Sequence, residues 1–264
     1  MSDVSLPKAQ RREYRMGALE DQDSIQSNIT ERAKVTNSEI GFWSAILTTL
    51  CSFAYGIAVI TVLVSSLSAQ SSSQAQGWSG IENYLAAFQP IQMLPVIPSL
   101  LLAPAFTALM VSIHSYAAED KKIWSGLGLA FTLIYATMAL INYMVQLLPV
   151  WRSITNHETD GLAMFVLGNP HSIFWALAYA YIFMNLAMLF AAQVFVGDTL
   201  RKRIRLLFIL NGISGLVTLV SAALDSPPFY LLGSLVVWCP VFTAASVSLG
   251  ILFRRQMQVA RYAS

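Results

Sequence analysis

Residues 42–67 read FWSAILTTLCSFAYGIAVITVLVSSL, a stretch without a single charged side chain. An α-helix rises about 1.5 Å per residue, so roughly 20 apolar residues cross the ~30 Å hydrocarbon core of a bilayer. Backbone groups in lipid find no water to bond, and a helix satisfies them within one segment. This stretch is therefore predicted to be a transmembrane helix.

Similar apolar runs recur along the rest of the chain. The full set of six is 42–67, 88–117, 124–150, 171–197, 206–224 and 229–253. Hydrophobic residues make up 56% of the chain and charged residues 11%, whereas average soluble proteins carry about 25% charged residues. The sequence predicts an all-α, polytopic membrane protein with six transmembrane helices.

In this arrangement of six spans, almost all basic residues lie on one side of the membrane. Of the sixteen Lys and Arg residues, fifteen precede the first run, follow the sixth, or lie in the turns after the second and fourth, whereas Arg152 alone lies on the other side. Lys and Arg concentrate at the cytoplasmic ends of membrane helices. Both termini are therefore predicted to be cytoplasmic, and the predicted location is the plasma membrane.

Three regions follow from this threading. Residues 1–40 hold seven acids and six bases, interleaved, and this composition predicts a disordered cytoplasmic leader. Residues 41–254 are predicted to form the membrane domain, and residues 255–264 a cytoplasmic tail. The glycosylation acceptor pattern at Asn28 lies in the leader, so it is expected to stay unmodified.

Two of the runs contain a similar segment. PAFTALMVSI begins at Pro104 and PVFTAASVSL begins at Pro240, with six of ten positions identical. A proline inside a helix removes a backbone donor and kinks the helix, so both prolines are predicted hinges. Thr107 and Thr243 follow at the same distance and are expected to bond an earlier carbonyl. The similarity reflects either an internal duplication, as in transporters built from repeats, or chance between apolar helices.

Uncharged polar side chains gather toward the outer half of the predicted helices, and Tyr143 and Tyr181 are among them. Lipid cannot satisfy amides and phenols, so these groups are expected to point inward and to line an outward-facing pocket. The candidate ligand-binding residues are Gln92, Asn142, Gln146, His171, Tyr179, Asn185 and Asp225. The alternative is that such groups bond one another and join the helices, at only about 0.6 kcal/mol each.

The sequence carries little that predicts catalysis. No Asp, Glu, Lys or Arg lies deep in any run, which argues against a proton-driven pump, a voltage sensor and a carrier of charged substrates. HExxH and Walker A motifs are absent, and GWSG at 77–80 lacks the context of a nucleophile elbow. No catalytic residue, metal site or cofactor is predicted.

Three kinds of function stay open. The leading hypothesis is a non-enzymatic ligand-binding, sensor-like or transport-like protein for a small neutral or amphipathic molecule. The alternatives are a membrane enzyme acting on a lipid, with His171 and Asp225 as an acid–base pair, and a structural or assembly subunit. Membrane lipids are the expected partners. The basic turn 201–205 is interpreted as a topology anchor at anionic lipid rather than a nucleic-acid site.

Overall fold

A computed structural model describes residues 8–68, 78–224 and 238–263, and every regular element in these ranges is helical. In chain order the helices are α1 (Lys8–Ser68), α2 (Ile81–Ala87), α3 (Val96–Tyr116), α4 (Lys122–Val145), α5 (Trp151–Thr155), α6 (Ile173–Ala178), α7 (Tyr181–Ala191), α8 (Thr199–Ala223) and α9 (Cys239–Ala263). Short 3-10 turns and one π-turn, at Gln146–Val150, join several of them. The predicted all-α class is confirmed.

Five helical stretches are long and apolar enough to cross a membrane. They are Glu31–Ser65, Pro90–Tyr116, Glu119–Thr155, Ile173–Val194 and Thr199–Val220. Their surfaces expose large apolar side chains, among them Leu50, Ile57, Leu133, Ile141, Leu206 and Val220. Exposed apolar surface on this scale marks a protein that lies in lipid. The sixth predicted run, 229–253, is described only from Trp238 onward.

The long helices pack side by side in a closed ring. The order of neighbours is α1, α3, α4, α7, α8 and α9, and α9 packs back against α1. The largest fully buried side chains pack inside this ring, including Phe106, Tyr135, Met184, Met188 and Phe242.

The N-terminal segment differs from the expectation of disorder. Helix α1 begins at Lys8 and runs without interruption into the first apolar run. Nothing after Lys8 in the leader breaks a helix, since this segment holds no proline and a single glycine, Gly17. Its last turns pack on the ring, where Asn37 Nδ2 donates to the Ser112 carbonyl at 3.2 Å and Ser38 is buried. The described part of the leader therefore continues into the membrane domain.

The fourth run, predicted as one helix over 171–197, is interrupted in the middle. Helix α6 ends at Ala178 and α7 begins at Tyr181. The backbone tightens between them, because Tyr179 N–H donates to the Ala176 carbonyl and Ala180 N–H to the Leu177 carbonyl, both at 3.1 Å. These bonds follow the 3-10 pattern and replace α-helical bonds.

Helix α8 begins earlier than its apolar run. It starts at Thr199 and takes in the basic turn that precedes residue 206. Asp198 Oδ1 accepts from the Arg201 N–H at 3.0 Å, as a capping aspartate does at a helix N-terminus. At the other end of the chain, α9 passes the predicted boundary at 254 and continues to Ala263.

A small apolar cap lies at one end of the ring, made by α2, the 3-10 turn Pro90–Met93, α5 and residues 156–170. Its core consists of Val150, Ile154, Leu162 and Val166, with Trp78, Tyr84, Leu85 and Phe88 packed against them. Tyr84 lies 5.8 Å from the Trp78 ring and 5.9 Å from the Phe88 ring. Burial raises the pKa of Tyr84 to about 12. The opposite end, called the basic end, carries Lys121, Lys122 and the start of α8.

Candidate functional site

Four tyrosines from three helices meet inside the ring. Tyr181 of α7 lies at their centre, with its ring 5.5 Å from that of Tyr135 in α4 and 6.1 Å from that of Tyr55 in α1. The Tyr143 hydroxyl donates to the Tyr181 hydroxyl at 3.2 Å. The buried Ser99 of α3 lies within hydrogen-bonding reach of the same two hydroxyls. Because α1 and α7 are opposite members of the ring, this tyrosine cluster lies on its axis.

Aromatic side chains in the same region contact one another in a closed loop, which we call the aromatic circuit. The ring centroids are 5.9 Å apart for Phe106 and Tyr135, 5.5 Å for Tyr135 and Tyr181, and 5.2 Å for Tyr181 and Trp238. Trp238 stacks on Phe242 at 5.1 Å, and Phe242 returns to Phe106 at 5.7 Å. Such distances are typical of directly packed aromatic pairs. This aromatic circuit therefore closes the axis of the ring at the level of the tyrosine cluster.

Several buried polar atoms here have no hydrogen-bond partner within the described ranges. They are the Tyr135 hydroxyl, the Trp238 Nε1 and both amide atoms of Asn142. The three residues are 0%, 4% and 0% exposed. An unpaired buried polar group costs about 1–3 kcal/mol, and native proteins keep few of them. The centre of the ring thus offers hydrogen-bonding capacity that its own described side chains do not use.

The electrostatics of the interior are neutral. The buried polar side chains in the described part of the chain are all Ser, Thr, Asn or Gln. A buried charge is tolerated when a partner of opposite sign accompanies it. A phenol has an ordinary pKa of about 10 and is neutral at physiological pH. The site can therefore donate and accept hydrogen bonds, and it suits an uncharged molecule.

Asn142 and Gln146 lie four residues apart, so they share one face of α4 and the π-turn that follows it. Gln146 is already bonded, since its Nε2 donates to the Phe165 carbonyl at 2.7 Å and its Oε1 accepts from the Leu167 N–H at 3.4 Å. It therefore fastens the segment 156–170 of the cap to α4. Asn142, one turn deeper, makes no such bond.

The other predicted residues are distributed elsewhere. Asn185 is buried where α7 meets Gly215 of α8, and its Oδ1 has no partner among the described residues. Gln92 is half-buried in a 3-10 turn at the cap end, and Tyr179 is half-buried at the end of α6, with its ring 6.3 Å from that of Trp175.

Only one member of the proposed acid–base pair lies among the described residues. His171 is exposed, and its backbone N–H donates to Asn169 Oδ1 at 2.9 Å. Asp225 lies outside the described residues. Within the described ranges, no group of three His, Cys, Asp or Glu side chains is placed to hold a metal ion.

The two proline segments have matching local geometry. Pro104 lies inside α3, and Pro240 is the second residue of α9. Thr107 Oγ1 donates to the Ala103 carbonyl at 2.9 Å, and Thr243 Oγ1 donates to the Cys239 carbonyl at 2.8 Å. The expected threonine bonds are thus present in both segments. Each segment also contributes one phenylalanine to the aromatic circuit.

Sequence reasoning missed four residues of this centre: Tyr55, Ser99, Tyr135 and Trp238. A usable signal exists for Tyr135, which precedes Asn142 by seven residues and so shares its helical face. No local signal brings Trp238 to this place, because its position depends on the packing of α9 against α1. No family model, curated protein or solved structure matches this chain.

Proposed function

We propose that the chain spans the plasma membrane six times, with both termini in the cytoplasm and the cap outside. The distribution of charge supports this orientation. Fifteen of the sixteen basic residues lie on the predicted inner side of the threading, where membrane proteins concentrate Lys and Arg. Arg152 of α5, the single exception, belongs to the cap.

We further propose that the protein binds a small neutral or amphipathic molecule at the tyrosine cluster, in a sensor-like or transport-like role. The observation that carries this proposal is Asn142, a fully buried amide with neither its donor nor its acceptor paired among the described residues. A group used only to join helices would be expected to have a partner on a neighbouring helix. A bound molecule supplies the missing partner.

The route to this site is expected to pass through the cap. Gln146 lies one turn from Asn142 toward the cap. Its amide bonds the Phe165 carbonyl and the Leu167 N–H of the cap. Release of these two bonds loosens the segment 156–170, which keeps its apolar contacts through Leu162 and Val166. The cap then acts as a cover over an outward-facing site.

Thiol accessibility in intact membranes tests this proposal. Cys51 and Cys239 are first replaced by Ser, and single cysteines are then introduced as Asn142→Cys, Glu158→Cys and Ala139→Cys. Glu158 is exposed in the cap, and Ala139 is buried one turn deeper than Asn142. A membrane-impermeant methanethiosulfonate is applied from the cap side, with and without Gln146→Leu.

We expect rapid modification at 158, slow modification at 142 and none at 139. Gln146→Leu should accelerate the reaction at 142, because it loosens the cap. A cysteine at 142 that stays unreactive in both backgrounds, with 158 fully modified, would overturn the proposal. The polar groups would then be assigned to joining helices in a structural or assembly subunit.

A further inference from the structure

The geometry points to Tyr181 as an internal occupant of the ligand site. We infer that the space between Tyr135 and Trp238, which the Tyr181 ring fills in this structure, takes a planar uncharged ring system that bears a hydrogen-bond acceptor such as a carbonyl oxygen. This inference rests on the proposed function and specifies the chemical class of the ligand.

We call Tyr135, Tyr181 and Trp238 the sandwich. The Tyr181 ring packs against Tyr135 at 5.5 Å, tilted by 51° between the ring planes, and edge-on against Trp238 at 5.2 Å, with an angle of 77°. Phe106 packs against Tyr135, and Phe242 stacks on Trp238 with an angle of only 9°. The two outer phenylalanines touch each other and hold the walls. A site with aromatic walls selects a flat, apolar body.

Two hydrogen-bond donors beside Tyr181 lack an acceptor. Trp238 Nε1 is a donor only, the Tyr135 hydroxyl can donate, and neither has a partner among the described residues. Both side chains are more than nine-tenths buried. A ligand that restores these bonds must therefore present an acceptor. A carboxylate would need a compensating cation, and the buried polar side chains of the described chain are uncharged.

Tyr181 lies at the junction of two helices. It is the first residue of α7 and directly follows the 3-10 turn that separates α6 from α7. Domain and helix movements are absorbed at a few residues at the ends of such elements. Its hydroxyl accepts a hydrogen bond from Tyr143 at 3.2 Å and lies within hydrogen-bonding reach of Ser99. A change in the turn swings the Tyr181 ring out of the sandwich with little change in its walls.

A pair of probes with matched shape tests this inference. The first is 9-fluorenone, a planar neutral ketone, and the second is fluorene, which has a methylene group instead of the carbonyl. The full-length protein is placed in lipid nanodiscs, and the infrared carbonyl stretch of isotope-labelled fluorenone is recorded against protein-free discs. The variants are Tyr135→Phe and Trp238→Phe, with Tyr116→Phe and Trp124→Phe as matched controls. Tyr116 and Trp124 stack on Phe195 and Phe190, outside the aromatic circuit.

We expect a carbonyl band shifted to lower frequency by the wild-type protein and by both controls. The shifted band should be lost in Trp238→Phe or Tyr135→Phe, according to which side chain donates to the carbonyl oxygen. Excess fluorene should not displace fluorenone efficiently, because fluorene lacks the acceptor. Tyr181→Ala should increase the shifted fraction several-fold, because it empties the sandwich. Tyr181→Leu serves the same purpose with a smaller change in packing.

Two results would overturn the inference. One is a shifted band that survives in both donor variants, which would place fluorenone elsewhere. The other is no shifted band in the wild type or in either Tyr181 variant. The second result, together with a reactive cysteine at 142, would reject the ligand class and leave the outward-facing site in place. An unreactive cysteine at 142 would reject the site as well.

Discussion

Asn142 and Gln146 lie one helical turn apart, both almost fully buried, and they use their amides differently. Gln146 bonds two backbone groups of the cap, whereas neither amide atom of Asn142 has a partner in the described chain. Chemically equal side chains on one face therefore have separate roles. Gln146 holds structure together, whereas Asn142, whose amide is unpaired in the described chain, is the proposed ligand-binding residue.

Gln146→Leu is expected to destabilise the folded protein. The change removes both bonds and leaves the Phe165 carbonyl and the Leu167 N–H without this partner; because both bonds are only partly buried, the expected loss is about 1 kcal/mol. The measurement is thermal unfolding of the purified protein in detergent. Gln89→Leu, at an exposed glutamine of the same cap, is the control and should leave the midpoint almost unchanged. Equal midpoints for the two variants would contradict the role given to Gln146.

Glycines at two positions should respond in opposite directions to the addition of a methyl group. A Cβ on Gly215 of α8 would overlap the Asn185 side chain of α7, whereas a Cβ on Gly126 of α4 would meet nothing nearer than His114 Cε1 at 3.9 Å. Overpacking costs about 1–3 kcal/mol, and alanine is favoured over glycine within a helix by about 0.5–1 kcal/mol. Gly215→Ala should therefore lower the unfolding midpoint, and Gly126→Ala should leave it unchanged or raise it. The reverse order would show that α7 and α8 do not pack as described.

At the scale of elements, the cap is a separate small core attached to the end of α4. Tyr84 connects its parts, since it contacts Trp78 and Phe88, and a Cβ on Gly168 would overlap its ring. Burial disfavours the tyrosinate, so the pKa of Tyr84 rises from its ordinary value of 10 to about 12. The cap therefore depends on a neutral Tyr84.

The pH dependence of the cap follows from this shift. The pKa of Tyr84 is higher in the folded cap than in the unfolded chain. Its buried neutral phenol therefore stabilises the cap fully below pH 10, and this stabilisation is lost as the pH rises through about 12. The ultraviolet absorbance of tyrosinate, taken as wild type minus Tyr84→Phe, should show one tyrosine that titrates near pH 12. A difference spectrum that titrates near pH 10 would mean that Tyr84 is not packed in the cap.

The apolar runs predicted which segments are helical better than where the helices begin and end. The early start of α8 has a readable cause, because Asp198 can cap a helix. The interruption between Ala178 and Tyr181 has no such signal, since neither proline nor glycine occurs there. The structure continues α1 back to Lys8, whereas charge and low hydropathy predict disorder even where no residue breaks a helix.

At the scale of the whole molecule, the order of helices in the ring could not be predicted. In a soluble protein the apolar stripe of a helix marks its buried face. In lipid both faces are apolar, so the periodicity no longer distinguishes them. Tyr135 lies in an apolar run, and only its place seven residues before Asn142, on the same helical face, indicates that it is buried. Polar residues carry more of this information, and the structure buries Asn142, Gln146 and Asn185 while it leaves His171 exposed.

The proposed orientation of the ring in the membrane can be tested by labelling in intact cells. On a background with Cys51→Ser and Cys239→Ser, Glu158→Cys in the cap and Lys202→Cys at the basic end are compared with a membrane-impermeant maleimide. Both positions are exposed. The residue at 158 should react from outside, and the residue at 202 should react only after the membrane is permeabilised. Reaction at 202 in intact cells would reverse the proposed topology.

The central claim is that Tyr135 and Asn142 are kept for a bound molecule rather than for the fold. An unpaired buried polar group is a cost to the free protein of about 1–3 kcal/mol, and an apolar group of the same shape removes that cost. The most direct measurement is therefore thermal unfolding of purified Tyr135→Phe and Asn142→Leu in detergent without added ligand. The account predicts that both variants are at least as stable as the wild type. A clear loss of stability in both, as expected for Gln146→Leu, would contradict it.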